Sequence, residues 1–410
     1  MNNVDRYRNI LKSLEYNYRG IELSHIVALK IWGEARGRQV FLWRHIANVI
    51  KAYNVKELKL PDSNGFFATY MEEWRKDHYE LYNTVISRLS ITPARNDLFN
   101  IRKCLSFHPL VIIKLFKHFI KSHNTRDLSI KNKIQWFSEY VFLCNTILEL
   151  DKIDFSGVNK YLSMCHVLGL ENLLTQYLRK KGITTYSLEE GMYMVYKKNF
   201  VIGSIAYELF ATDHLLCWGQ YTKDQYVEYG IAANRIDVAG YPKGQVLAQQ
   251  KEFNPYKKCL VLLAGPIFGD VNNKLLSMLE SLKGEFEITL KSHPVNYNEI
   301  SNYAIAHSLN IIPKERTIID CLSSNEFDFC IAVNTTAYYE SWMYGIPCIR
   351  YNDERFDNFN GFNDLFKSRE EMMTIINKYR KSTIAQEVVK NMLEYAIGFG
   401  IDNYDRIING

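Results

Sequence analysis

Several short motifs that mark common nucleotide and metal sites are missing from this 410-residue sequence. It contains no GxxxxGK(S/T) phosphate loop and no GxGxxG after a strand, which removes support for kinase-like and dinucleotide-dependent functions. It also contains no DxD sequence, whose paired carboxylates commonly hold Mg²⁺ or Mn²⁺ beside a nucleotide. We therefore expect a site that uses no metal and no cofactor.

The sequence has no CxxC pair and no long apolar run, although it contains eight cysteines. Several of these cysteines lie in apolar strand-like segments, where cysteine behaves as a small hydrophobic residue. This pattern favours a reduced cytoplasmic protein over a disulfide scaffold. The amino-terminal segment is polar and charged, and no stretch approaches about 18 uncharged apolar residues, so neither a signal peptide nor a membrane span is predicted.

Composition and charge are those of an ordinary globular protein, with 47% hydrophobic and 23% charged residues. A chain of 410 residues exceeds what one hydrophobic core usually serves, so we expect two domains. The formal net charge of +5 suits anionic ligands or an anionic membrane surface without establishing either. No nucleic-acid partner is expected.

Residues 1–145 are predicted to be mostly helical, because apolar residues recur there at spacings of three and four. The segment LVIIKLFKHFIKSH, residues 110–123, is amphipathic and contains Lys114, Lys117 and Lys121. One interpretation is a helix packed on the core with a solvated basic face. The other is peripheral contact between residues 103–133 and an anionic membrane surface, on the inner face of the cell membrane.

After residue 145 the pattern changes to alternating strands and helices, which is typical of a parallel sheet. Residues 146–252 are predicted to be α/β, so that 1–252 form a first domain with a largely helical N-terminal portion. Residues 253–258 are typical of a linker, 259–385 are predicted to form a second Rossmann-like domain, and 386–410 a C-terminal helix. Two such α/β domains would face a cleft, and ligands bind such sheets beyond the carboxyl ends of the strands.

Polar residues follow the predicted strands, at the edge where ligands would bind. A helix N-terminus with hydroxyl side chains can hold an anion, which is one interpretation of Thr335 and Thr336, although a plain N-cap is the simpler explanation. Glu340, about one turn further on, is either a ligand for ribose hydroxyls or an acid on the helix surface. The strand-end residues are Glu189, Glu190, Gly191, Gly265, Pro266, Ser292, His293, Pro294, Asn334, Thr335 and Thr336.

Three of these groups resemble, in order, the motifs of bacterial sialyltransferases of the GT-B type. That family shares a D/E-D/E-G motif, an HP motif and a later Ser/Thr motif, which are similar to residues 189–191, 293–294 and 335–336. The segments 217–243 and 334–347 also look like parts of capsule-polysaccharide transferases. The resemblance covers roughly residues 150–350, and a second His-Pro at 108–109 is set aside because it precedes a helix.

The resemblance implies a GT-B fold, with an acceptor-side domain first and a nucleotide-sugar-binding domain second. It implies inverting, metal-independent transfer of sialic acid from CMP-sialic acid to a hydroxyl of a glycan acceptor, in the synthesis of bacterial capsule or lipo-oligosaccharide. Glu189 would then be the general base, Glu190 would orient the loop or bind the acceptor, and Gly191 would allow a tight turn or close approach.

The resemblance also implies a donor side in the second domain. His293 would stabilise the leaving phosphate and give it a proton if its pKa is near neutral, since preorganised donors aimed at developing charge are usually the largest catalytic factor. The implied donor-binding residues are Gly265, Pro266, Ser292, Pro294, Asn334, Thr335, Thr336 and Glu340.

Two alternatives stay open at this point. The same fold could use another donor, namely CMP-Kdo, CMP-pseudaminic acid, CMP-legionaminic acid, a UDP-hexose or a CDP-alditol, because fold alone does not specify function. The chain could also be a non-catalytic scaffold in a polysaccharide assembly complex.

Overall fold

A computed structural model describes residues 3–37, 43–62, 65–73, 75–121, 128–192, 204–243, 247–250, 256–333, 335–352 and 362–410. Its strands are, in chain order, β1 (Asn17–Tyr18), β2 (Ile21–Glu22), β3 (Lys51–Tyr53), β4 (Gly65–Tyr70), β5 (Ala94–Asp97), β6 (Lys103–Leu105), β7 (Val158–Ser163), β8 (Thr184–Leu188), β9 (His214–Cys217), β10 (Ile236–Val238), β11 (Lys258–Leu262), β12 (Glu287–Lys291), β13 (Asn310–Ile311), β14 (Phe329–Ala332), β15 (Cys348–Tyr351) and β16 (Leu365–Phe366).

The α-helices lie between these strands and after the last of them. They are α1 (Asn3–Ser13), α2 (Leu23–Ile26), α3 (Ala28–Ala35), α4 (Lys76–Ile86), α5 (Pro109–Lys121), α6 (Ile130–Leu150), α7 (Gly169–Lys180), α8 (Ser204–Glu208), α9 (Gln220–Tyr229), α10 (Gly269–Glu280), α11 (Tyr297–Ala306), α12 (Ile318–Ser323), α13 (Ala337–Met343), α14 (Arg369–Lys381), α15 (Gln386–Ala396) and α16 (Asn403–Asn409). None of the described helices is both long and apolar enough to cross a membrane.

Two six-stranded sheets form the framework of the molecule. The first has the spatial order β10-β9-β8-β7-β4-β5 and the second the order β13-β12-β11-β14-β15-β16. All neighbouring strands within each of these sheets are parallel. Strands such as β8 and β14 are buried nearly throughout, because helices cover both faces of a parallel sheet.

The strand and helix alternation predicted from residue 171 onwards is confirmed. The predicted strand before the acidic pair is β8, and the predicted strands before His293 and before residue 334 are β12 and β14. The helix that begins near residue 317 has a capping box formed by Thr317 and Asp320, which fixes its first turn.

The first 145 residues are rich in helix, as predicted, but they also supply β4 and β5 of the first sheet. The sequence of β4 is GFFATY, and all of its residues except the glycine are buried. A short apolar run of this kind cannot be told from a buried helical segment by periodicity alone, which is why the strand was missed.

The C-terminal segment contains two helices, α15 and α16, where one helix was predicted. The second helix crosses back to the first sheet: the Tyr404 hydroxyl donates to the Gly240 carbonyl at 2.8 Å, and Asp405 Oδ1 accepts from the Ser90 amide at 2.7 Å. The chain end is therefore part of the first domain's packing. The linker assignment stays a prediction, because residues 251–255 lie outside the described residues.

Candidate functional site

The strand order of each sheet reverses at one place. In the first sheet the chain runs from β4 to β5 on one side and from β7 to β10 on the other, so the reversal lies between β4 and β7. In the second sheet it lies between β11 and β14. Open parallel sheets bind ligands beyond the carboxyl ends of the strands at such a point. The loops that follow β4, β8, β11, β12 and β14 therefore form the candidate site.

An acid–histidine cluster, composed of Glu72, Arg75, Asp77, His78 and Glu190, follows β4 and β8. His78 Nδ1 lies 2.8 Å from Glu72 Oε2 and 3.6 Å from Glu190 Oε2. Arg75 donates two hydrogen bonds, of 3.0 and 2.8 Å, to Asp77, and it also contacts His78 Nε2. Because a guanidinium only donates, Nε2 is the acceptor there, and Nδ1 carries the proton that is shared with Glu72.

The Glu190 carboxyl is suited to accept a proton. Its side chain is 27% exposed, at the edge of the cluster. Burial raises the pKa of Glu190 above its ordinary value; His78 and Arg75 oppose this, while the negative charge of Glu72 adds to it. A carboxylate with a raised pKa is a stronger base, which is what proton abstraction from a sugar hydroxyl needs.

Glu189 lies in the opposite environment, fully buried beneath the loop. Its carboxylate accepts hydrogen bonds from the Trp218 amide and, at 2.8 Å, from the Thr222 hydroxyl, beside the start of α9. A group without access to the cleft cannot reach an acceptor hydroxyl. This burial argues against the general-base role expected for Glu189. Its two hydrogen bonds instead connect the end of β8 to the start of α9.

His293 follows β12 in the second domain. Its Nδ1 accepts a hydrogen bond from the Val295 amide at 3.2 Å, which leaves the ring proton on Nε2. Burial lowers the pKa of His293, and the nearby positive charge of Arg75 lowers it further. The ring is therefore a neutral donor at neutral pH, better suited to hydrogen bonding a phosphate oxygen than to protonating it.

The strand ends beside His293 hold its loop in place. A Cβ built on Gly265 would lie 3.7 Å from His293 Cδ2, so the two predicted donor-side residues are indeed neighbours. Ser292 is buried, and its hydroxyl donates to the His293 carbonyl at 3.0 Å. Ser292 thus positions the loop, where donor contact was expected. Pro294 begins the short 3₁₀ turn Pro294–Asn296 and Pro266 begins Pro266–Phe268, after their respective strands.

The remaining predicted residues divide into three cases. Thr335 Oγ1 accepts from the Ala337 amide at 3.3 Å, and Thr336 is the residue before α13, so both lie at a helix start as predicted. Asn334 lies outside the described residues. No atom of the described residues lies within 4 Å of a Cβ built on Gly191, so close approach within the protein does not require a glycine there.

Glu340 links the two domains and is not on the helix surface. It is 6% exposed, and the Tyr241 hydroxyl donates to its carboxylate from the loop after β10. Burial raises the pKa of Glu340, while Tyr241 and Lys243 lower it and Asp77 raises it. The bond from Tyr241 to Glu340 joins the loop after β10 of the first sheet to α13, which follows β14 of the second sheet, so the strand ends of the two sheets meet here.

One trio in the cluster could hold a metal ion. The ligand atoms of Glu72, His78 and Glu190 all lie within 4.8 Å of one another. Carboxylates and a neutral imidazole are ligands for a divalent ion, but the guanidinium of Arg75 already supplies positive charge beside His78. That the protein works without metal remains a prediction. A metal ion bound by these three residues would contradict it.

Sequence reasoning missed the residues of the cluster that follow β4. The signal was present as the EEWRKDH sequence at 72–78, one residue after FFATY. These residues follow a strand, as Glu190 and His293 do, but the short apolar run of β4 does not identify itself as a strand by periodicity.

Solved structures of low sequence identity share this architecture. The structure of S. aureus MnaA with UDP matches with a TM-score of 0.52 and 10% identity, covering 84% of this chain and 95% of that one. Methanocaldococcus jannaschii UDP-GlcNAc 2-epimerase in complex with UDP-GlcNAc and UDP matches with a TM-score of 0.50 and 13% identity, covering 84% of this chain and 98% of that one. These likenesses show that the fold is GT-B, as predicted.

The apo form of the lipopolysaccharide outer core galactosyltransferase WaaB also matches, with a TM-score of 0.48 and 14% identity over 84% of this chain and 98% of that one. No protein-family model matches the sequence, and no curated protein matches it significantly.

Proposed function

We propose that this protein is an inverting glycosyltransferase that moves a sugar from a nucleotide donor to a hydroxyl of a glycan acceptor, with CMP-sialic acid as the donor. The observation that carries the proposal is the placement of two strand-end residues on different sheets. Glu190, a partly exposed carboxylate beside His78, follows β8 of the first sheet, and His293, whose Nδ1 accepts from the Val295 amide, follows β12 of the second. A base on one side and an anion-stabilising donor on the other is what displacement at an anomeric carbon needs.

In this reaction the acceptor hydroxyl gives its proton to Glu190 while its oxygen bonds to the anomeric carbon. The bond from that carbon to the phosphate oxygen breaks, and its electron pair leaves with the nucleoside monophosphate. The Nε2–H of His293 stabilises the negative charge that grows on the phosphate. A single displacement inverts the anomeric configuration.

The choice of CMP-sialic acid rests on the order of the three motifs at residues 189–191, 293–294 and 335–336. A second candidate is a UDP-sugar enzyme, either a transferase or an epimerase. The specific observation in its favour is that two structures of similar fold were determined with UDP or UDP-GlcNAc bound. The catalytic pair would be the same in a transferase of either kind.

The test is a thermal-shift panel with CMP, CDP, UDP, GDP and ADP, each with and without EDTA. A ligand that binds only the folded protein stabilises it by about 2.7 kcal/mol at roughly a hundredfold excess over its dissociation constant. Stabilisation by CMP alone, unchanged by EDTA, supports the proposal, and hydrolysis of CMP-sialic acid should then be measurable.

Two variants distinguish nucleotide binding at the candidate site from nucleotide binding elsewhere on the protein. His293→Ala should abolish the shift, whereas His307→Ala, at the half-exposed end of α11, should retain it. A thermal shift with UDP but not CMP would mean that the donor is a UDP-sugar. A shift that depends on metal would indicate a metal site at Glu72, His78 and Glu190. If no nucleotide shifts unfolding, the non-catalytic scaffold becomes the better interpretation.

A further inference from the structure

Helix α5 is apolar on two faces, and only one of them packs against the protein. Val111, Leu115 and Phe119 are buried against the core, at a spacing of four residues. The other face exposes four large apolar side chains: Leu110 (81%), Ile113 (50%), Phe116 (55%) and Ile120 (63%). A helix that is hydrophobic all round normally has a second partner, because exposing this much apolar surface to water is unfavourable.

Six more exposed apolar side chains lie on elements that precede α5 in the chain or pack beside it through α6. Leu105 and Phe107 lie just before α5, Ile130 and Ile134 begin α6, which packs on α5, and Ile46 and Ile50 lie in the 3₁₀ segment that packs on α6. These ten residues are called the apolar patch. They account for ten of the seventeen exposed large hydrophobic side chains among the described residues. Such concentration in one region indicates an interaction surface rather than scattered exposure.

The sequence around α5 has an excess of positive charge. Between residues 102 and 138 the sequence contains one acidic residue, Asp127, against eight basic ones: Arg102, Lys103, Lys114, Lys117, Lys121, Arg126, Lys131 and Lys133. Among the described side chains, Lys114 and Lys117 are exposed on α5, on the same face as the apolar residues. Exposed apolar side chains interleaved with lysines are suited to the boundary between anionic headgroups and acyl chains.

We propose that the apolar patch docks the protein peripherally on an anionic lipid bilayer, with α5 lying in the plane of the interface. A second copy of the chain fits less well, because a two-fold interface would bring the same lysines face to face. This inference does not depend on the proposed glycosyl transfer, and either can fail alone.

The experiment is vesicle flotation of the full chain. Vesicles of phosphatidylcholine alone are compared with vesicles of phosphatidylcholine and phosphatidylglycerol in equal parts, at low and high salt. We expect flotation with the anionic vesicles, reduced by salt, and none with neutral ones. Absence of flotation with both, or equal flotation with both, would overturn the proposal.

Variants locate the contact. Ile113→Ser with Phe116→Ser should lower vesicle binding at least about tenfold, since each buried apolar side chain contributes substantially to transfer from water. Ile305→Ser, which alters an even more exposed residue on α11 (74%), should not change it. Lys114→Ala with Lys117→Ala should lower binding about thirtyfold. The matched pair Lys378→Ala with Lys381→Ala, exposed at the same spacing on α14, should bind as the parent does.

Two further outcomes contradict the proposal. If the patch variants float as well as the parent, another surface binds lipid. If light scattering without lipid finds a dimer that Ile113→Ser with Phe116→Ser dissociates, the patch is covered by a second copy. Circular dichroism and thermal unfolding of each variant confirm that the changes remain on the surface.

Discussion

Glu189 and Glu190 are adjacent in the chain, yet they lie in opposite environments. Successive side chains of an extended segment point to opposite sides. Just after β8, Glu189 is fully buried, while the side chain of Glu190 is 27% exposed. The buried one satisfies the Trp218 amide and the Thr222 hydroxyl. The partly exposed one joins His78 and Glu72. Register, and not residue type, therefore decides which of the two acids is available for chemistry.

The two acids should respond differently to the same substitution. Glu190→Gln should lower kcat of sugar transfer by about 10²–10⁴, the usual contribution of a general base, with little change in thermal unfolding. Glu189→Gln should instead lower the free energy of unfolding by about 1–3 kcal/mol. The glutamine NH₂ group would face the Trp218 amide or the Thr222 hydroxyl, and one buried donor would lose its acceptor. Transfer assays and thermal unfolding on both variants test this. The assignment fails if Glu189→Gln folds normally and is inactive while Glu190→Gln remains active.

The pH dependence of transfer follows from the directions of the two pKa shifts. Glu190 acts when deprotonated and its pKa is raised, so kcat/KM should rise with pH through a midpoint above the ordinary glutamate value of about 4.3. The pKa of His293 is lowered, mainly by burial, so its ring stays neutral above its ordinary value of about 6.5 and its titration should change kcat/KM only below that value. A kcat/KM profile measures both. An acidic limb that persists unchanged in Glu190→Asp and Glu190→Gln would point to another base.

At the scale of elements, the site depends on how closely helices and strand-end loops approach each other. The loop from β9 to α9 passes directly against the end of α15: a Cβ built on Gly219 would lie 2.3 Å from the Ala396 carbonyl oxygen. No side chain fits at that distance. This contact joins the helix that Glu189 supports to the C-terminal segment.

Gly219→Ala should therefore separate α9 from α15 and lower the free energy of unfolding by about 1–3 kcal/mol or more. Gly269→Ala is the matched control, because Gly269 begins α10 with a helical φ of −57° and has open space around it. That variant should be neutral or more stable, by up to about 1 kcal/mol. Chemical denaturation measures the free energy of unfolding of both variants. Equal values would show that α9 and α15 can move apart without destabilising the fold.

At the scale of the molecule, two domains are held so that their strand-end edges face each other. The bond from Tyr241 to Glu340 crosses between them, and α16 returns the chain to the first domain through Tyr404. These contacts determine how closely the acid–histidine cluster approaches His293. Their loss should affect binding as well as stability.

Tyr241→Phe should lower the free energy of unfolding by about 1–3 kcal/mol, because Glu340 would stay buried without this donor. The loss should be smaller when Tyr241→Phe is combined with Glu340→Gln, since a neutral amide tolerates burial better. A double-mutant cycle by denaturation gives the coupling energy of the pair. Additive effects would mean that the two side chains do not interact in solution.

How much could be predicted from sequence varies along the chain. Five of the six strands of the second sheet were predicted, because their apolar runs are short, bounded and separated by clear helices; the two-residue strand β16 was not. In the first domain β4 was missed, and with it Glu72, Arg75, Asp77 and His78. Their roles depend on contacts with Glu190, which is more than a hundred residues away in sequence.

The sequence by itself determined the alternation of strands and helices and the presence of polar residues after the strands, because these depend on local pattern and chain order. The GT-B fold class came from the resemblance of three short motifs to a known family, and the fold confirms it. Only the tertiary structure decided that Glu189 is buried while Glu190 is partly exposed, that the Ser292 hydroxyl bonds the His293 carbonyl, and that α5 exposes a second apolar face. Burial and the electrostatic influence of distant residues arise from packing between segments that no local pattern specifies.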